Sequence, residues 1–360
     1  MKYLFTLLVL IPITYRAQEE VKSESITFSI VSNSYNQEQS FLTASHYKRQ
    51  KSKESPILIV LDADQLFDLT SSISRYYVNL EKISPLTVVG FSHTNRYAEL
   101  TGKDAEITKA IINEELIPYL REDLHLSGRI SILGHSFSAD FILNHLNDMP
   151  DIYSTAVISG ISKKTTLEEI ANPNGYFYSA DNDFSHRVDY FDTLKSSIKK
   201  EATQFKKFED KDHLSIVIPA IEDFILHQYS KFISLTDEEK ASLADSKQQL
   251  AELKKIKHSK DTAFGINYHP NLEDIVWLME VINEEELEQS LSWLLTLNLV
   301  PIEKTVVHKL LGEFYEKNEK YKLAYQNFKN SCESLPDWVT NTDDFCKDMK
   351  RIGEMDGVQK

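Results

Sequence analysis

The chain has 360 residues, enough for two domains, and 41% of them are apolar and 11% aromatic, which supplies a core and excludes wholesale disorder. With 55 acidic against 40 basic side chains the formal net charge is -15. That field repels a nucleic-acid backbone, so no nucleic-acid partner is expected, and it disfavours polyanionic substrates.

Residues 1–17 pattern as a secretory signal, with Lys2 as the positive start, Leu4 to Ile13 as the apolar stretch and Ala17 as a small residue at a cleavage point. A buried first strand is the alternative reading. The apolar stretch falls well short of the roughly 20 residues that cross a bilayer. No cysteine follows it to accept a lipid, and no later stretch avoids charge for long enough to span. The expectation is a mature protein without a membrane span, exported to a periplasm-like or extracellular compartment.

From about Glu24 to Leu235 short β-type runs alternate with helical stretches. Ile26 to Val31 and Gln39 to Ala44 alternate apolar and polar residues, as edge strands do. Ile57 to Leu61, Leu86 to Phe91 and Ile130 to Leu133 are continuous apolar runs of the kind buried in a parallel sheet. Ser154 to Ser159, Tyr176 to Ser179 and Gln204 to Phe208 follow them. Helical stretches lie between, at Ala105 to Leu120, Ala139 to Leu146 and Asp189 to Lys200. The alternation predicts an α/β fold with a doubly wound, mostly parallel sheet over 24–235.

The character changes at Thr236-Asp237-Glu238-Glu239, a capping box that opens a charged helix, and 236–360 is predicted all-helical. Leu287, Leu291, Leu294 and Leu295 share one helical face, as do Val306, Leu310, Leu311 and Phe314. The two cysteines, Cys332 and Cys346, fall in this region; an oxidising compartment permits a disulfide between them, and two buried thiols fit the spacing equally. Neither has His or Cys neighbours at metal-ligand spacing, so no metal is expected.

The sharpest chemical signal is Ile130 to Asp140, ISILGHSFSAD. An apolar strand runs into Gly134, then Ser136, then the small Ser138, then a helix, which is the pattern of a nucleophile elbow. The chain doubles back there, so the positions two before and two after the serine must be small. The helix start also offers the backbone N–H of Phe137 to a developing oxyanion. A base is expected on a loop after the last strands, and His213 in Asp212-His213-Leu214-Ser215 fits, with a helix from Ala220 to Tyr229 behind it. His135 lies within the elbow, His186 in the acid loop, His227 in the last helix, and His258 and His269 in the helical region. The orienting acid should follow the strand Tyr176 to Ser179; Asp183 is the first candidate and Asp181 the alternative. The chain order serine, acid, histidine is that of the α/β-hydrolases.

The segment from about 24 to 230 resembles the esterase D type of α/β-hydrolase, a group with S-formylglutathione hydrolase, feruloyl esterases, enterochelin esterases and mycolyltransferases. The resemblance rests on Leu61-Asp62-Ala63-Asp64-Gln65-Leu66-Phe67, on Val88 to Phe91 with Asn95-Arg96 and Leu100-Thr101, on Glu115 to Tyr119, on the elbow and on His213-Leu214-Ser215. It implies a triad of Ser136, Asp183 and His213, a second oxyanion donor on the backbone of Ala63 or Asp64, a small-molecule ester as substrate, and no cofactor. Three glycines of the family are replaced, by Ala63, Ser138 and Ala180, and two of these border the oxyanion hole. Arg96 is read either as holding its loop by pairing with Glu99 or as binding a substrate carbonyl or carboxylate. The last helical pair, with Leu311-Gly312, Tyr315, Tyr321, Ala324, Phe328, Ser331 and Pro336, resembles a tetratricopeptide repeat, with His308 where a Trp is usual. Such a repeat would serve a protein partner or self-association. The competing expectation to an esterase is a hydrolase fold that has lost catalysis and acts as a scaffold through these helices.

Overall fold

A computed structural model describes residues 22–32, 37–47, 55–80, 82–162, 175–197, 203–230, 234–264, 268–297, 299–336 and 343–355. The signal expected at 1–17 lies outside them. Two compact units emerge, one over 22–230 with Phe264, the other over 234–263 and 268–355.

The first unit is an eight-stranded sheet in the order β1-β2-β4-β3-β5-β6-β7-β8. Its strands are β1 (Lys22–Ser32), β2 (Gln37–Tyr47), β3 (Ile57–Leu61), β4 (Leu86–Phe91), β5 (Ile130–His135), β6 (Ile152–Ile158), β7 (Gly175–Asn182) and β8 (Gln204–Asp212). β1 and β2 pair antiparallel, as do β2 and β4, and every other pairing is parallel. This is the doubly wound, mostly parallel sheet that the alternation predicts, and its strand order is that of the α/β-hydrolase fold. β3, β4 and β5 are buried at every position, because helices cover both faces of a parallel sheet and leave no polar side to alternate with. β2, expected at an edge, lies between β1 and β4. Alternation reports which faces are covered and is silent on whether both edges are paired.

The helices of this unit are α1 (Ala63–Asn79), α2 (Arg96–Leu100), α3 (Ala105–Ala110), α4 (Ile117–Glu122), α5 (Phe137–His145), α6 (Ser185–Ser197) and α7 (Val217–Tyr229). A π-helical stretch, Ile111–Leu116, joins α3 to α4. α1 escapes the sequence reading because its buried face includes Thr70 and Ser74, which interrupt the apolar period of Leu66, Phe67 and Val78. The Ser74 hydroxyl answers its own burial by donating to the carbonyl of Thr70 at 2.7 Å.

The second unit is helical: α8 (Asp237–Asp245), α9 (Gln249–Phe264), α10 (Leu272–Val281), α11 (Glu284–Leu294), α12 (Pro301–Lys317), α13 (Tyr321–Glu333) and α14 (Asp343–Gly353). The Thr236 hydroxyl accepts the N–H of Glu239 at 3.2 Å while the Glu239 carboxylate accepts that of Thr236 at 2.8 Å, so the capping box is closed. α12 and α13 approach where Gly312 faces Phe328; a Cβ on Gly312 would stand 2.6 Å from the phenyl ring. Among the described residues no helix is long and apolar enough to cross a membrane.

Cys332 on α13 and Cys346 on α14 form a disulfide across a sequence separation of 14. Closing a loop of this length removes roughly 3 kcal/mol of chain entropy from the unfolded state. Replacing both cysteines by alanine is expected to destabilise the helical unit by about 2–3 kcal/mol, read as a lower urea midpoint by circular dichroism. An unchanged midpoint would show that packing alone holds α14.

Candidate active site

β5 delivers Ser136 into a backbone conformation of φ 59° and ψ -118°, from which α5 starts at once. A non-glycine residue there is strained, and the surrounding turn must enforce it. The enforcing contact is the approach of Gly134 to Ser138: a Cβ on Gly134 would lie 2.6 Å from the Ser138 carbonyl carbon and 2.7 Å from its oxygen. The side chain of Ser138 is used within the turn. Its hydroxyl accepts the N–H of His135 at 2.8 Å and donates to the carbonyl of the same residue at 2.9 Å.

His213 sits in the turn between β8 and α7, which is shaped by one carboxylate oxygen of Asp212. That oxygen accepts the N–H groups of Leu214 at 3.0 Å and Ser215 at 2.8 Å, and the Ser215 hydroxyl at 2.8 Å. Asp183 follows β7. The Nδ1–H of His213 donates to Asp183 Oδ1 at 2.8 Å, and Ser136 Oγ lies 3.0 Å from Nε2, so the tautomer that Asp183 selects leaves Nε2 free to accept the serine proton. The Asp183 side chain is fully buried while the imidazole is 19% exposed. The alternative acid, Asp181, points elsewhere and accepts the N–H of Asp210 at 3.2 Å. Asp181 still lies within β7, and Asp183, the first residue beyond the strand, is the one that reaches the histidine.

Asp183 is itself held. Its Oδ1 also accepts the N–H of Phe184 at 2.7 Å, and its Oδ2 accepts the hydroxyl of Ser159 at 2.5 Å. Ser159 ends β6 in a left-handed conformation, φ 53°. Its carbonyl accepts from Arg187 of α6, whose buried guanidinium is forked onto Asp140 of α5 at 3.0 and 3.2 Å. Asp140 also takes the N–H of Ile161 at 2.7 Å. Burial pushes the Asp140 carboxyl up even though Arg187 pulls it down. Ser159, Arg187 and Asp140 escaped the sequence reading. The available signal was Asp140 itself, a charge in an apolar helix that must find a partner when buried.

The N–H groups of Phe137, Ala63 and Asp64 fall in the first turns of α5 and α1, where helices leave donors unused, and they have no partner among the described residues. Arg96 does not pair with Glu99. Its Nε and Nη2 reach Asp62 at 2.6 and 2.8 Å, and Nη2 reaches the carbonyl of His135 at 3.2 Å. Glu99 instead accepts His93 Nδ1 at 2.9 Å and the backbone N–H groups of Thr94 and Asn95. With Nε and Nη2 on Asp62, Arg96 is held to the residue that precedes α1 and not to its own loop. Among the described residues no group of three or more His, Cys, Asp or Glu is placed to hold a metal ion.

A search against protein-family models finds no match, and no curated protein matches the chain. Among solved structures, an uncharacterised protein from Capnocytophaga ochracea superposes with a TM-score of 0.67 at 15% identity, covering 92% of this chain and all 100% of that one. An IroE-like serine hydrolase from Shewanella oneidensis gives 0.54 at 17% identity, covering 87% and 100%. At these identities the likeness establishes the fold.

The His135 imidazole, which donates from Nε2 to the carbonyl of His213 at 2.7 Å, has its pKa lowered to about 4, chiefly by burial and next by the His213 imidazole. An unfolded histidine titrates near 6.5. Between those values the unfolded chain binds a proton that the fold refuses, so stability is full above about pH 6.5 and falls as pH drops toward 4. His135→Gln is expected to flatten this acid-side loss in urea midpoints measured from pH 7 to 4.5. An unaltered slope would reject the assignment.

Proposed function

We propose that the chain is an exported serine hydrolase of carboxylic esters that works through an acyl-enzyme on Ser136. One observation carries the reading: Ser136 Oγ, the His213 ring and the buried Asp183 carboxylate lie in line at 3.0 and 2.8 Å. His213 removes the Ser136 proton as Oγ attacks the acyl carbon, and returns it to the leaving alcohol as the acyl bond breaks. A water molecule then attacks the acyl carbon, giving its proton to the same nitrogen, and the acid departs as the bond to Oγ breaks and His213 returns that proton to Ser136. Asp183 holds the imidazole and stabilises its cation. The backbone N–H of Phe137, with that of Ala63 or Asp64, stabilises the oxyanion, and such a donor contributes about 10²–10³ in kcat. Acyl transfer to a sugar or other alcohol would use the same residues with the alcohol in place of water.

The likeness in fold to the Shewanella oneidensis serine hydrolase supports this reading, as does the esterase D resemblance of the sequence. Exposed Tyr97, Phe184 and Leu214 stand beside Phe137 or His213, the Phe184 ring 5.0 Å from the imidazole, which favours an organic ester over a small ionic one. Carbohydrate acyl esters, feruloyl esters and siderophore lactones are the substrate classes that the resemblance brings. Against the scaffold reading stands Ser138, whose hydroxyl bonds to the backbone of His135 across the elbow.

A fluorophosphonate probe tests the proposal. Labelling of the wild-type chain and not of Ser136→Ala is the expected outcome, with turnover of 4-nitrophenyl esters falling by roughly 10⁴-fold or more in the variant. Folded wild type that neither labels nor turns over any ester would sink it.

A further inference from the structure

We propose that Arg96 is a positioning residue that sets the spacing of the two arms of the oxyanion site; the inference rests on the hydrolase reading above.

The argument begins with Asp62. It ends β3 in a left-handed conformation, φ 60° and ψ 51°, and is the N-cap of α1, yet its side chain makes no capping bond. Aspartate at that position ordinarily turns its carboxylate onto the N–H groups of the first turn. Here the buried carboxylate is drawn sideways into the fork of Arg96. The N–H groups of Ala63 and Asp64 in the first turn of α1 are thereby left uncapped by Asp62, which keeps them available to a developing negative charge, while the Asp64 carboxylate accepts the Ser92 hydroxyl at 3.3 Å.

The same guanidinium grips the other arm. Its Nη2 reaches the carbonyl of His135, the residue before Ser136, and its carbon stands 5.1 Å from the centre of the Phe137 ring. β3 and β5 are neighbours in the sheet, paired in register from Ile57 and Ile130 to Val60 and Leu133. Arg96, arriving on the short α2 after β4, ties the ends of both strands immediately before the residues that carry the donors. The other titratable groups facing Asp62 are His93, with Nε2 at 4.0 Å, through it Glu99, and the imidazole of His135, which lies in the elbow and interacts with both Asp62 and Arg96. A planar fork with a further N–H is what the geometry uses, and an ammonium offers no such fixed set.

The test compares wild type with Arg96→Lys, Arg96→Met and Asp62→Asn. Each is assayed for kcat and KM on a neutral 4-nitrophenyl ester, inhibition by a trifluoromethyl ketone that forms a tetrahedral adduct on the serine, and thermal midpoint. The expected result is a kcat about 10- to 100-fold lower, KM within roughly threefold, and affinity for the ketone falling in parallel with kcat/KM. Arg96→Lys should recover only a small part. Should Arg96→Met fail to fold, Asp62→Asn, nearly identical in shape, carries the test by itself. Folded variants with wild-type kcat and ketone affinity overturn the proposal. So does a loss confined to KM, or to esters bearing a carboxylate, which would make Arg96 a substrate contact. A wild type that turns over no ester and is not labelled by fluorophosphonate overturns the hydrolase reading and this one together, whereas an active wild type with unaffected variants overturns this one alone.

Discussion

The contact on which the site depends is the one between backbones at Gly134 and Ser138, where no side chain larger than hydrogen fits on the first. That approach forces Ser136 out of ordinary φ,ψ space and lifts its hydroxyl off the sheet. It starts α5 at Phe137, so the positive end of a helix dipole lies directly beside the Ser136 hydroxyl. It also fixes Asp140 one turn later, within reach of Arg187. From there the chain of bonds runs through Ser159 to Asp183 and back to His213. Serine and acid are therefore tied twice, once through the imidazole and once underneath it.

One device serves both sides of the site. Arg187 forks onto Asp140 and spends a further bond on the carbonyl of Ser159; Arg96 forks onto Asp62 and spends one on the carbonyl of His135. In each case a guanidinium pins the carbonyl of a residue at the C-terminal end of a buried strand. A bidentate ion pair satisfies the cation, and the donor left over reaches a backbone oxygen that has left the ladder. Buried ion pairs contribute little net stability once desolvation is counted. Their value here is geometric, since three neighbouring strand ends must be held in register with one another.

The apolar runs of β3, β4 and β5 were legible because full burial removes polar residues from a parallel strand, and the elbow because its steric demand restricts two positions to small residues. His213 and Asp183 followed from chain order. What stayed illegible is the support beneath them. Ser159, Arg187 and Asp62 are ordinary residue types whose partners lie far off in sequence, 24 residues for Ser159 with Asp183 and 47 for Arg187 with Asp140, and no periodicity marks such pairs. For Arg96 the structural partner that sequence offered was the nearest acid, Glu99, because sequence shows proximity along the chain, and the fold brings it to Asp62 instead. α1 was missed for a different reason: its buried face carries the hydroxyls of Thr70 and Ser74, the second bonded within the helix, so hydropathy is low where burial is complete.

Asp62, Ser136 and Ser159 end three strands of one sheet, and all three hold positive φ without being glycine. Glycine would relieve of order 1 kcal/mol or more at each. Marginally stable chains drift toward such gains whenever nothing opposes them. What opposes them here is that every one of these side chains is in use: a carboxylate in the fork of Arg96, a hydroxyl at Nε2 of His213, a hydroxyl on Asp183. A lineage of this chain released from the demands on these side chains would therefore record the release first as glycines at 62, 136 and 159, gaining stability as the three bonds were lost. In this sequence all three positions still carry their side chains.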